Sequence, residues 1–267
     1  MSNDPFTRDR TGTGTRERSD LSYNIGRGCS HGCLYCYAKA NACDRWKTLL
    51  PKEWTTERIS WPAVNKRWGT SSGVIMFPTT HDITPAYLEP AVAVLHKMLA
   101  AGNYVLIVSK PHLKCVERLC AELTDYHRQI FFRFTIGSMD AATCALWEPG
   151  APPPEERLEA LKLAAYIGYK TSVSVEPNLG GVLNAVKVVE TVEPYVTHDI
   201  WIGKMNRIDS RVHADDNPAL HDAIARLKVA QNDTNTMLLY HCLRQNPKVA
   251  WKDSIKEVVA RCGGVMP

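Results

Sequence analysis

Three cysteines, Cys29, Cys33 and Cys36, fall within eight residues of the stretch GRGCSHGCLYCYAKAN at 26–41. This C-x3-C-x2-C spacing constrains the chain more than any other feature, because three thiols on one short loop must surround a common object. Thiolates are the soft ligands of iron–sulfur clusters, and a cubane ordinarily takes four of them. A loop that supplies three leaves one iron open to a substrate or cofactor, so it is a chemical site and not only an electron store. Gly26, Gly28 and Gly32 let the backbone wrap closely around a bulky group. Structural zinc with His31 as fourth ligand is the competing reading, but such sites pair two separated knuckles and the chain has no second C-x2-C.

The six remaining cysteines, Cys43, Cys115, Cys120, Cys144, Cys242 and Cys262, are dispersed, and the total of nine is odd. A disulfide framework is therefore excluded, and buried structural thiols are expected at the dispersed positions. No apolar run approaches the roughly 18 residues of a membrane span, and the first twenty residues hold no apolar signal segment. A cytoplasmic protein with no membrane partner is expected. The net charge of +4 tolerates a polyanionic partner without demonstrating one.

Beyond the cysteines, apolar runs of strand type alternate with amphipathic stretches. Strands are expected at 21–25, 73–77 (GVIMF), 104–109 (YVLIVS), 130–136 (IFFRFTI), 171–175 (TSVSV), 199–202 (DIWI) and 236–240 (TMLLY). Helices are expected at 88–101, 113–126, 154–167, 183–192 and 218–231. Pro154 suits a first helical turn, and Gly102 and Gly168 suit helix ends. Such alternation implies α/β architecture with parallel strands, either closed wholly or partly into a barrel or laid out as an open doubly wound sheet. Residues 1–20, polar and carrying Arg8, Arg10, Arg16 and Arg18, read as a flexible basic arm. Residues 41–70, with Trp46, Trp54, Trp61 and Trp68, read as a tryptophan-rich insertion packed against the barrel. The barrel is expected over 21–240, followed by a C-terminal extension at 241–267.

The cysteine spacing, with Tyr35 directly before the third cysteine, resembles the motif of the radical SAM superfamily. The GC-x3-C-x-YCYA form of 23–38, and the block FTIGSMDAATCALWEPGAPPPEERLEALKLAAYIGYKTSVSVEPNLGG at 134–181, are similar to the spore photoproduct lyase group. That resemblance implies a partial (β/α)6 barrel with a [4Fe-4S] loop after the first strand, S-adenosylmethionine as cofactor, and an external electron donor such as flavodoxin or ferredoxin. It implies cofactor contacts from Tyr35, from Thr80 and Asp82 after the second strand, from Ser138 after the fourth, from Arg157 toward the methionine carboxylate and from Glu176 toward the ribose. Thr80 and Asp82 could instead be helix caps, and Arg157 a solvated helix charge. Lys110, at the end of the third strand, is a candidate for cofactor or substrate contact. Cys115 and Cys144 are the cysteines considered for returning hydrogen to a substrate radical, although neither falls in an alignable motif. The implied substrate is a pyrimidine nucleobase or nucleotide in DNA; a small-molecule or peptide substrate, or a non-catalytic iron–sulfur nucleic-acid binding module, stays open.

Overall fold

The structure, a computed structural model, describes residues 4–6, 17 and 19–264. Seven strands form one parallel sheet: β1 (Leu21–Ser22), β4 (Val74–Phe77), β5 (Tyr104–Ser109), β6 (Ile130–Thr135), β7 (Lys170–Val175), β8 (Ile200–Ile202) and β9 (Val249–Trp251). A small antiparallel pair, β2 (Gly26–Arg27) with β3 (Arg58–Ile59), stands apart. The main sheet keeps its strands in chain order from one edge to the other. A doubly wound sheet would reverse direction at a switch point, and none is present among the described residues. This is the singly wound order of a partial barrel, and the two expectations left open by the alternation are resolved in its favour.

The helices that connect the strands are α3 (Leu88–Ala100), α4 (Leu113–Glu122), α5 (Ala141–Trp147), α6 (Pro154–Ile167), α7 (Gly181–Val192), α8 (Ile208–Arg211), α9 (Pro218–Ala230), α10 (Asp233–Leu243) and α11 (Asp253–Arg261); the short α1 (Tyr37–Lys39) and α2 (Trp61–Val64) precede them. Local chemistry sets their ends. In α6, Pro154 opens the helix, Glu155 and Glu156 occupy the first turn, and Gly168 closes it at φ 96°.

Strand periodicity divides the core. Ile75, Phe77, Val105, Ile107, Phe132, Phe134, Val173 and Val175 point to the helices and join one large apolar cluster. The alternate positions Val74, Met76, Leu106, Val108 and Phe131 face the concave side, where Phe6 packs among them. Phe6 meets Tyr104 and Phe131 edge-on, and Asp4 pairs with Lys170. The expected flexible arm is thus anchored at residues 4–6; its arginines lie outside the described residues. The open seam of the barrel is bridged by Lys252, which lies 2.9 Å from Glu17 and 3.2 Å from Glu176.

Two expectations fail. Residues 236–240 are not a strand but the middle of α10, because Asn232 caps the helix through Asn235 N and the buried residues Thr236, Leu239, Tyr240 and Leu243 follow helical spacing. The last strand is β9, so residues 241–264 complete the sheet and its last helix rather than forming an extension. Cys242 and Cys262 are exposed, whereas Cys43, Cys115, Cys120 and Cys144 are buried as expected.

Replacing Phe6 by Ala should destabilise the protein by about 3 kcal/mol in urea unfolding, the usual cost of emptying an aromatic core site. An unchanged midpoint would mean that the segment is not seated.

Candidate active site

The cysteine loop follows β2, and it is clamped from two sides. On one side Cys29 N donates to Trp54 O at 2.8 Å, and Ser30 N donates to Glu57 Oε1 at 2.9 Å. On the other, Gly150 N donates to His31 O and Leu34 N to Trp147 O, both at 2.9 Å. Both contacts need glycine. Gly28 sits at φ 83°, and a Cβ there would lie 2.3 Å from Thr56 O. A Cβ on Gly150 would lie 2.2 Å from Ser30 O. The tryptophan-rich insertion is therefore one jaw of the clamp. Trp54 is buried against Cys29 and Cys43, while Trp46 and Trp61 are exposed.

Cys29, Cys33 and Cys36 line one cavity of about 600 Å³ at the C-terminal ends of the strands. That volume suits a nucleoside-sized ligand. Burial pushes the Cys29 thiol well up, the Cys33 thiol up to about 12 and the Cys36 thiol up; the Lys110 charge opposes the rise at Cys33 and Cys36. Thiolates in such surroundings need a strongly positive centre among them. A cluster iron supplies that, and the soft donor set fits it.

Mononuclear zinc fits less well. Ligand atoms of Cys29, His31 and Asp82 do lie within 4.8 Å of one another. His31 is fully buried, however, with Nδ1 2.8 Å from Asp82 Oδ2 and Nε2 3.0 Å from His112 Nε2. Both ring nitrogens are engaged, Nδ1 by the Asp82 carboxylate and Nε2 by the His112 ring. Asp82 also accepts from Ser109 Oγ at 3.0 Å and Lys110 N at 2.7 Å. Burial would raise its pKa, but the charges of His31 and Lys110 outweigh burial and hold Asp82 ionised.

Of the residues expected at the site, Tyr35, Thr80, Asp82, Lys110 and Glu176 line this cavity. Asn24, which the sequence reading missed, fixes the turn before Asp82: its Oδ1 accepts from Thr79 N at 2.7 Å and Thr80 N at 2.8 Å. Ser138 does not reach the cavity. It is buried and donates to Asn184 Oδ1 at 2.7 Å. Cys115 and Cys144 are also buried away from it, their thiols pushed up by burial to about 11 and about 12.

Arg157 is neither a solvated helix charge nor a cavity cation. Its Nη2 lies 2.5 Å from Glu148 Oε2, an ion contact off hydrogen-bonding angle, and both side chains have 0% exposure. Arg157 Nε donates to Pro152 O at 2.7 Å and Nη1 to Thr135 O at 3.3 Å. Glu148, also missed, accepts from the Tyr35 hydroxyl, and Lys110 Nζ lies 3.9 Å from its Oε1. The visible signal was a carboxylate set before Pro149 and Gly150 at the end of a helix.

Arg157→Met should leave Glu148 buried without its partner and lower stability by about 3–5 kcal/mol, a fall in Tm of roughly 10 °C. Calorimetry decides: an unchanged Tm with weakened cofactor binding would return Arg157 to the cavity.

No protein-family model matches the chain. Uncharacterized protein ORF301 of Acidianus two-tailed virus is 27% identical over 183 residues, covering 62% of this chain and 58% of that protein. The chain thus spans less than two thirds of that relative's length. Among solved structures, an alanine variant of spore photoproduct lyase superposes with a TM-score of 0.53 at 16% identity, over 91% of this chain and 78% of that one. A doubly substituted variant of the same lyase, with bound AdoMet and dinucleoside spore photoproduct, gives 0.54 at 15% identity, over 87% and 76%. The fold of this chain is that of the radical SAM enzymes.

Proposed function

We propose that the chain is a radical SAM enzyme in which Cys29, Cys33 and Cys36 hold a [4Fe-4S] cluster that binds S-adenosylmethionine, and that its substrate is a pyrimidine nucleobase or nucleotide in DNA. The observation that carries this reading is the convergence of these three thiols, and no other described cysteine, on the cavity. When bound, the cluster and cofactor supply a one-electron cleavage of the sulfonium bond that yields a 5′-deoxyadenosyl radical for hydrogen abstraction.

The chain's own groups then have defined tasks. The turn held by Asn24 presents Thr80 and Asp82 to the cofactor's ammonium group, with Asp82 kept ionised by its neighbours. Glu176, at the end of β7, faces the cavity and suits ribose hydroxyls. Lys110 is the cation whose charge most eases the burial of the Cys33 thiol, and with Arg157 committed to Glu148 it is placed for the cofactor carboxylate. Because Cys115 and Cys144 lie outside the cavity, neither is placed to return hydrogen to a substrate. A flavodoxin-like or ferredoxin-like protein would deliver the electron.

The nucleic-acid part of the reading is supported by the likeness to spore photoproduct lyase and by the arginines of the N-terminal arm. Chemistry on a duplex would require the base to leave the stack.

Anaerobic reconstitution with iron and sulfide, reduction in the presence of S-adenosylmethionine and chromatography for 5′-deoxyadenosine test the proposal. Product should form, and should vanish in the Cys29, Cys33 and Cys36 triple alanine variant. Cluster uptake without product, with or without DNA, would favour a non-catalytic module. Product without any retardation of DNA at low salt would favour a small-molecule or peptide substrate.

A further inference from the structure

Behind the cavity wall runs a line of side chains to which the proposed reaction gives no task. Asp82 lines the cavity, whereas His31 and His112 do not. His31 Nδ1 lies 2.8 Å from Asp82 Oδ2, and His31 Nε2 lies 3.0 Å from His112 Nε2. The two imidazole rings are tilted by 47° with centroids 5.1 Å apart, so they meet through their nitrogens and do not stack. The bonds on Asp82 are unevenly divided. Oδ1 accepts from Ser109 Oγ at 3.0 Å and from Lys110 N at 2.7 Å, the last residue of β5 and the one after it. Oδ2 has His31 and, among the described residues, only one further contact, a long one of 3.9 Å with Cys29 Sγ. Two bonds on one oxygen hold that oxygen but let the carboxylate turn about it, because the terminal torsion of an aspartate is broad. His31 therefore sets the plane of the carboxylate, and with it the lone pairs that Asp82 presents to the cavity.

His31 can do this only if its own ring is held. The residue has 0% exposure, so bulk water does not reach Nε2. Two facing ring nitrogens at 3.0 Å hold one proton between them, since two bare lone pairs repel and two N–H groups clash. His112 thereby gives Nε2 its partner. Without it a buried polar atom would stand alone, and the ring would turn to seek another bond at the expense of Asp82. His112 is itself fixed for the task. It stands immediately before α4, where Leu113 N donates to Glu156 Oε1 at 3.0 Å, and the same oxygen lies 3.8 Å from His112 Nδ1. The first turn of α6 thus anchors the residue that backs the cysteine loop.

We infer that His112 is a positioning residue: through His31 it orients the Asp82 carboxylate toward the ammonium group of S-adenosylmethionine, and so sets how far the site prefers that cofactor to a nucleoside without an amino-acid part. The inference rests on the radical SAM reading above, and adds to it a residue that lies outside both the cysteine motif and the cavity lining.

Anaerobic equilibrium binding to cluster-loaded protein is measured for S-adenosylmethionine and for 5′-methylthioadenosine, which keeps the adenosine and the sulfur but lacks the amino-acid part. The unaltered protein should prefer S-adenosylmethionine. In His112→Phe that preference should fall about tenfold, through weaker S-adenosylmethionine binding, while 5′-methylthioadenosine stays within about a factor of two. His112→Gln, whose amide reaches the place of Nε2, should keep the preference, and His112→Asn, one methylene shorter, should lose it. An unchanged preference in the phenylalanine variant overturns the inference. So does an equal loss for both ligands, which is what a merely structural His112 would give. If the phenylalanine variant takes up no iron, the glutamine and asparagine variants decide, and the same preference in both overturns the inference. Equal binding of the two ligands by the unaltered protein, or binding of neither, also overturns it. Formation of 5′-deoxyadenosine by the unaltered protein scores the enzymatic reading independently. Product formed alongside an unchanged preference in the variants keeps the radical chemistry and removes the role of His112.

Discussion

The buried contact between Glu148 and Arg157 ties together the parts that make the site. Glu148 ends α5 and accepts from Tyr35 on the cysteine loop, while Arg157 on α6 donates to Thr135 O at the end of β6. Lys110, just past β5, completes the group. Two ions with no solvent exposure cost several kcal/mol to desolvate, and a single attraction between them repays that only when further polar partners surround both. Those partners come from a loop, two strand ends and two helices. The pair therefore works as a registry point: if any of these elements moves, a charge is left buried and unmatched.

The cysteine loop depends on that registry because it has almost no regular structure of its own. Between β2 and α1 it runs through residues with no strand or helix bonds, held instead by Trp54 O and Glu57 on one flank and by the Trp147–Gly150 turn on the other. Glu57 also accepts from Thr84 Oγ1 at 2.8 Å, so the insertion is bonded to the loop and to the turn after β4 at once. Three thiols whose ionisation is opposed by burial stay together only if the backbone leaves them no alternative. Gly28 and Gly150 allow the two jaws to approach within a distance that any side chain would block.

Much of this was legible in the sequence. The cysteine spacing marked the loop, and the residues that the family resemblance pointed to after β4, β5 and β7 line the cavity at the strand ends. The misreadings have physical causes. Residues 236–240 offered a five-residue apolar run too short to separate period 2 from period 3.6, and the Asn232 cap that decides it stands four residues earlier. The last strand, three residues in β9, carries almost no pattern of its own. Arg157 was misplaced because a guanidinium near the start of a helix looks the same in sequence whether it faces a cavity or a buried glutamate, and the glutamate in question precedes it by nine positions.

The barrel interior is graded along its axis, and the register of the strands shows how. Met76, Leu106 and Phe131 are aligned across β4, β5 and β6 and form an apolar floor with Phe6. One step toward the C-terminal ends, Arg133 is aligned with Ser172, and its Nε donates to Ser172 Oγ at 2.9 Å while Nη2 meets Asp199. That layer is polar but internally satisfied, and Arg133 also lies 5.7 Å from the rings of Phe131 and Trp201. Above it, Thr135 is aligned with Ser174, and then come Glu176 and Lys252 at the seam. Each layer is thus more polar than the one beneath. A dry floor seals the cavity from below without offering groups that compete for a ligand. The satisfied Arg133 layer fixes the depth to which polar atoms can sink.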